Sequence, residues 1–205
     1  MTATLHQGDL PDGLFSGVAE LAVDSEAMGL KLHRDPLCVV QLRGPKGEAH
    51  LVQLDRATYD APNLKRLLTD PGVLKIFHFA RFDVAMFLVW LGVLTGPIYC
   101  TKIASKLART YTDRHGLKDV TRELLGVDIS KAQQSSDWGA ARLSPEQIAY
   151  AASDVARLHE LKGRLDTMLE REGRMDLARA CFAFLPQRAA LDAAGWDEMD
   201  IFAHE

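Results

Sequence analysis

Apolar and polar positions alternate over short runs in the first half of the chain and at helical spacing in the second. Residues 19–25 open with Ala19, Leu21, Ala22 and Val23 and reach Asp24, which predicts a strand. Residues 37–42 (L-C-V-V-Q-L) and 49–54 predict two more, with G-P-K-G at 44–47 as the turn between them. Three strands joined by tight turns predict an antiparallel meander. Residues 1–17 carry Gly8, Pro11, Gly13 and Gly17 and read as a mobile arm with a short turn.

Residues 63–68 read as a short helix, with Pro62 near its start and Asp70-Pro71-Gly72 as its stop. Residues 73–79 are apolar on both faces apart from Lys75 and His78, which suits a buried central strand. A strongly apolar helix follows at 81–91, with Asp83 in its first turn, then a short fifth strand at 98–100. Helices are predicted at 101–110, with Lys102, Lys106 and Arg109 on one face, and at 117–125, ended by Gly126. Residues 128–141 lack periodicity and read as a loop. Ser144, Pro145 and Gln147 form a helix start, with Ser as the cap and Gln three residues on. That helix is expected to run to 172 before Gly173, and a last one to cover 175–194. The whole, 1–205, reads as one α/β domain with a largely helical second half.

The 205 residues are 47% hydrophobic and 25% charged, enough apolar material for a sizeable core. No apolar run reaches membrane-spanning length, and the first residues lack the features of a signal peptide. No membrane partner and a cytoplasmic location are therefore expected. Cys38, Cys100 and Cys181 sit singly among apolar neighbours, which argues for reduced thiols and against disulfides or a zinc site. The net charge of −4 argues against a protein that grips a long nucleic acid through its phosphates. A nucleic-acid substrate would be small, or held locally through metals.

Asp24 and Glu26 are two apart, so on a strand they share one face. They repel each other unless a cation lies between them, and a hard divalent ion, Mg²⁺ or Mn²⁺, suits such a pair. An isolated D-x-E is more often a solvated acidic turn. Asp83 alone would complement a helix dipole. Tyr150 and Asp154 share one helix face, among Ala149, Ala151, Ala152 and Ser153. Alone they read as a packed tyrosine above a solvated acid. Together these five residues form a set for two-metal phosphodiester hydrolysis, in which carboxylates hold two divalent ions about 4 Å apart. One ion lowers the pKa of the attacking water, and the other stabilises the leaving 3′ oxygen. A phenol near two cations can orient that water and help take its proton.

The segments A-V-D-S-E (22–26), I-F-H-F-A-R-F-D (76–83) and Q-I-A-Y-A-A-S-D (147–154) resemble the DEDD superfamily of 3′–5′ exonucleases, in its tyrosine subclass. K-A-Q-Q-S-S-D-W (131–138) followed by L-S-P-E-Q is similar to the ribonuclease D branch. The resemblance spans roughly 18–165. It implies a ribonuclease H-like fold, a mixed five-stranded sheet flanked by helices. It also implies that Asp24, Glu26 and Asp154 hold the ion that activates water, that Asp24 bridges to a second ion near Asp83, and that Tyr150 positions the nucleophile. The 40 or so residues after 165 are too few for the helical domains that follow the nuclease domain in ribonuclease D. The chain looks most like the short nanoRNase C group, which acts on diribonucleotides, in some members on DNA, and assembles into rings.

The resemblance implies that Leu30, in the turn after the acidic strand, wedges between two bases; alternatively it is a core residue closing that turn. His78 is either a substrate contact or a core histidine. Lys131, Gln134, Ser135 and Ser136 are candidates to cap a terminal phosphate, or belong to a solvated loop. The basic stripe reads as a solvated face, or else as a phosphate-binding or interface site, and Trp138 as a residue that pins the loop rather than one that stacks on a base. Residues 175–205 hold Trp196, Met199, Ile201 and Phe202, more apolar surface than a tail needs, and predict a homo-oligomer built from dimers. Three functions are in competition: cleavage of very short RNA, trimming of tRNA-like or DNA 3′ ends, and an inactive fold used for binding.

Overall fold

The computed structural model describes residues 2–130, 133 and 135–204. Strands β1 (Ala3–Gln7), β2 (Glu20–Ala27), β3 (Leu37–Arg43), β4 (Ala49–Gln53), β5 (Leu74–Phe77) and β6 (Ile98–Cys100) form one sheet in the order β1-β4-β3-β2-β5-β6. Helices α1 (Pro62–Thr69), α2 (Ala80–Met86), α3 (Thr101–Ala108), α4 (Leu117–Leu125), α5 (Pro145–Val155), α6 (Leu158–Arg171) and α7 (Met175–Leu191) flank it. This is the mixed, helix-flanked sheet of the ribonuclease H-like exonucleases. The β2-β3-β4 meander is antiparallel, as the tight turns predict.

The sheet has six strands rather than five. Residues within the expected mobile arm supply the sixth: β1 lies parallel to β4, from Ala3 opposite Ala49 to Gln7 opposite Gln53. Its pairing partner is more than forty residues away, so no local signal announces it.

Two further expectations are corrected. The helix expected at 145–172 is two helices, α5 and α6, separated at Ala156 and Arg157, where Arg157 leaves helical geometry. Neither residue is a helix breaker, so packing of the two segments sets the break. The basic stripe is not one solvated face: Lys106 is exposed and Lys102 half-buried, but the third member is inside. Arg109 is fully buried; it donates to Ser105 Oγ and the Arg114 carbonyl and pairs with Glu123.

β5 is buried as its apolar run predicts, and it carries a fully buried lysine. Lys75 Nζ donates to the carbonyls of Asp70 (2.6 Å) and Gly96 (2.8 Å), and burial lowers its pKa to about 8. From β5 the chain enters α2 through Phe79, which has left-handed backbone geometry (φ 73°) although it is not glycine. α2 continues as one π-helical turn over Phe87–Leu91. Among the described residues no helix is long and apolar enough to cross a membrane.

Candidate active site

β2 delivers the first two acids. Asp24 pairs across the ladder with Gln41 of β3, and the register slips between Glu26 and Ala27, ending regular pairing beside the acids. α5 packs on β2, β3 and β4 and brings the third acid. One carboxylate oxygen each from Asp24, Glu26 and Asp154 lie within 4.8 Å of one another. Asp83, in the first turn of α2, is 3% exposed and accepts a 2.6 Å hydrogen bond from Ser25 Oγ. An acid that only complemented a helix dipole would sit in water; this one is inside.

The electrostatics follow from burial. Burial raises the pKa of Asp24 most, followed by the charges of Asp83, Asp154 and Glu26. Glu26 is raised to about 9 by burial, then by Asp154 and Asp83. Burial raises Asp83 and Asp154 to about 7, against hydrogen bonds from Ser25 and Tyr150 respectively. Burial, and then the Asp154 charge, holds the Tyr150 phenol well above its usual range. Without metal the Tyr150 phenol is therefore neutral. Among the described residues no Lys, Arg or His forms an ion pair with any of the four acids. Hard oxygen donors, close together and without a cationic partner, fit Mg²⁺ or Mn²⁺.

Asp24, Glu26 and Asp154 open into a cleft of about 690 Å³ lined also by Ser25, Leu30, His78, Lys102, Lys118, Ser135, Ser136, Trp138 and Tyr150, whereas Asp83 lies behind that lining and outside the three-acid cluster. Leu30 is 81% exposed, which removes the core alternative. His78 is half-buried: Nδ1 lies 2.8 Å from Thr101 Oγ1, Nε2 is inaccessible with no hydrogen-bond partner among the described residues, and burial lowers its pKa to about 3. Ser136 accepts from Gln147 Nε2 (3.1 Å), whereas Ser135 is exposed. Lys131 and Gln134 lie outside the described residues. Trp138 is buried with its ring 6.1 Å from that of Tyr150, as a pinning residue requires.

Sequence reasoning missed three things. Gln147 both closes the capping box with Ser144 and, through Nε2, holds Ser136 and the Asp137 carbonyl. The cap of α5 thus anchors the loop that forms one wall of the cleft. Ser25 and Gln41, the donors to Asp83 and Asp24, were also passed over; Gln41 Nε2 reaches Asp24 Oδ2 at 3.1 Å. A polar residue in the apolar run 37–42 was the available signal. Lys118, in the first turn of α4, belongs to no motif.

A sequence model of the 3′-5′ exonuclease domain of the DNA polymerase A type matches residues 13–170. The chain belongs to the 3′–5′ exonuclease family. This exonuclease is 37% identical over 169 residues to ribonuclease D of Gluconacetobacter diazotrophicus and 33% identical over 149 residues to DNA polymerase I of Aquifex aeolicus. It spans 42% and 24% of their lengths, and 82% and 73% of its own. Among solved structures it is similar to Brucella melitensis NrnC with bound Mg²⁺ at 52% identity, TM-score 0.96, both chains covered in full. NrnC bound to pGG aligns at 53% identity, TM-score 0.97, again over both full chains. Escherichia coli ribonuclease D, at 24% identity, shares the fold (TM-score 0.74).

Proposed function

We propose that this exonuclease hydrolyses very short RNA, diribonucleotides above all, to nucleoside 5′-monophosphates. The observation that carries the proposal is the meeting of Asp24, Glu26 and Asp154 in one cleft with an exposed Leu30. A cleft of about 690 Å³ is of small-ligand size. The full-length likeness to NrnC, which binds Mg²⁺ and pGG, supports the same reading.

In this reading Asp24, Glu26, Asp83 and Asp154 hold two divalent ions, Mg²⁺ or Mn²⁺. Such ions supply charge neutralisation at the scissile phosphate and a lowered pKa for water. Hydrolysis forms a bond from the water oxygen to phosphorus and breaks the P–O3′ bond; the water gives up a proton and the leaving O3′ gains one. Tyr150 orients the attacking water through its hydroxyl and, beside two cations, helps take its proton. Leu30 offers an apolar surface on which bases stack, and His78, Ser135 and Ser136 contact the substrate. Lys131 and Gln134 are proposed to cap the terminal phosphate.

The test is a comparison, with Mn²⁺, of a 5′-labelled diribonucleotide, a heptanucleotide RNA and a tRNA with an extended 3′ end. Fast loss of the dinucleotide with slow attack on the others is the expected result. Efficient tRNA trimming that leaves the dinucleotide intact would overturn it, and would favour a second reading that the identity to ribonuclease D relatives supports. Cleavage of DNA alone would point to the polymerase-type relative instead.

We also propose self-association through the C-terminal segment. Trp196, Met199, Ile201 and Phe202 are exposed, and Phe202 meets Phe184 edge-on at 5.9 Å. Light scattering should give a mass that is a multiple of one chain; a monomer at micromolar concentration removes this proposal.

A further inference from the structure

Two neutral side chains donate hydrogen bonds to the acids. Ser25 stands between Asp24 and Glu26 and, like them, lines the cleft. Its hydroxyl donates to Asp83 Oδ1 at 2.6 Å; both residues are buried. Gln41 is fully buried in a strand otherwise made of Leu, Cys and Val until Arg43. A buried amide in such a strand is costly unless it is paired. Its Nε2 donates to Asp24 Oδ2, while its own Oε1 has no protein partner. The amide is thus placed for the acid and not for its own satisfaction. Asp83 Oδ2 and Asp24 Oδ1 have no side-chain donor among the described residues.

We infer that Ser25 and Gln41 are positioning residues for the divalent-cation site, each fixing one oxygen of an acid so that the other stays available to the cation. The inference rests on the metal-dependent reading above. A neutral donor suits the task where a cationic one would not. An arginine at either place would orient the carboxylate but cancel the charge that attracts the ion. A hydroxyl or amide orients it and leaves the charge in place. Donors of this kind, one step removed from the ligands, typically change metal affinity when removed. They require no contact with substrate, and neither residue is proposed to touch it.

The experiment titrates Mn²⁺ into metal-free protein by calorimetry, without substrate, for the unsubstituted chain, Ser25→Ala, Ser25→Thr and Gln41→Leu. Thermal melts in chelator serve as the folding control. Ser25→Ala and Gln41→Leu should bind Mn²⁺ roughly 10- to 100-fold more weakly. Ser25→Thr, which keeps the hydroxyl, should stay within a few-fold of the unsubstituted protein. The Mn²⁺ concentration giving half-maximal cleavage should shift in parallel, with the rate largely restored at saturating metal. A merely structural role would lower the melting temperature and leave these affinities alone. Unchanged affinity in Ser25→Ala, or Ser25→Thr as weak as Ser25→Ala, overturns the inference; this pair decides it even where Gln41→Leu does not fold. If the unsubstituted protein binds no Mn²⁺, the metal reading falls and this inference with it. Normal binding with unaffected variants overturns this inference alone.

Discussion

Helix α2 serves two buried acids in opposite ways. Arg81 of α2 grips Asp192 with two contacts, Nε to Oδ2 at 2.6 Å and Nη2 to Oδ1 at 2.8 Å, and Arg188 adds a third at 2.9 Å. Two residues along the same helix, Asp83 has, among the described residues, only Ser25 for a side-chain donor. Asp192 is 5% exposed and Asp83 3%, so burial is not the difference. Where the fold uses a buried carboxylate as a fastener, it provides cations of its own. At Asp24, Glu26, Asp83 and Asp154 the side-chain hydrogen-bond donors among the described residues are neutral, Ser25 and Gln41. The first arrangement is complete. The second has a charge surplus that a cation from solution would relieve.

The sharpest way to break this contrast is to delete one acid from each region. Asp24→Ala should reduce dinucleotide cleavage about a thousandfold or more, since several kcal/mol of transition-state stabilisation depend on the held ions. The metal-free protein should melt no lower, because a like-charged neighbour has gone. Asp192→Ala should do the reverse. Two arginines lose their shared partner, which costs about 3 kcal/mol, at the lower end for a buried pair because Arg81 is a third exposed. The folded fraction should keep its turnover. Chelator melts and cleavage rates check both variants; a destabilised Asp24→Ala or an indifferent Asp192→Ala would erase the distinction.

A second test uses pH. The acids of the site are raised, Asp83 and Asp154 to about 7 and Glu26 to about 9. Unfolded carboxylates release protons near pH 4, so between pH 4 and these values the folded state binds more protons. The stabilisation is complete below pH 4 and is lost as pH rises through 7 towards 9. Metal-free protein should therefore melt several degrees lower at pH 8 than at pH 6. Added Mg²⁺ should raise the melting temperature more at pH 8, where fewer protons compete. The window stops at 8 because the lowered pKa of Lys75 pushes stability upward between about 8 and 10.5. A metal-free melting temperature that rises from pH 6 to 8 would contradict the uncompensated cluster.

The smallest effect is expected from Gln147→Glu. The carboxylate can still accept from the Ser144 backbone N–H and preserve the capping box. It can no longer donate to Ser136 Oγ and the Asp137 carbonyl. Helix stability should change by under about 1 kcal/mol. KM for the dinucleotide should rise about tenfold, the equivalent of ~1.4 kcal/mol, with kcat changed less, because one wall of the cleft loses its anchor. Equal losses in kcat and KM terms would place Gln147 in the chemistry instead.

The legible parts of the molecule were those fixed by local pattern. G-P-K-G gave the meander turn, Ser144 to Gln147 gave the start of α5, and D-S-E on an apolar run gave the acid pair. The illegible parts depend on partners distant in sequence. β1 needs β4, Asp192 needs Arg81, and the break between α5 and α6 has no residue that marks it. Ser25 and Gln41 were hidden for a related reason. Each looks ordinary in its strand until the acid it serves is placed beside it.

Phe79 gives the cleft one more property. Its left-handed backbone costs about 1–2 kcal/mol in a residue with a Cβ. In return its ring lies 4.1 Å beneath the Nζ of Lys102, which lines the cleft. A lysine free in solvent gives up about 2 kcal/mol of rotamer freedom when it is ordered. Rested on a ring, Lys102 has surrendered part of that freedom before any anion arrives. The strain at Phe79 is thereby carried as a standing cost of the folded state, and any anion drawn to this lysine would meet a side chain already partly ordered.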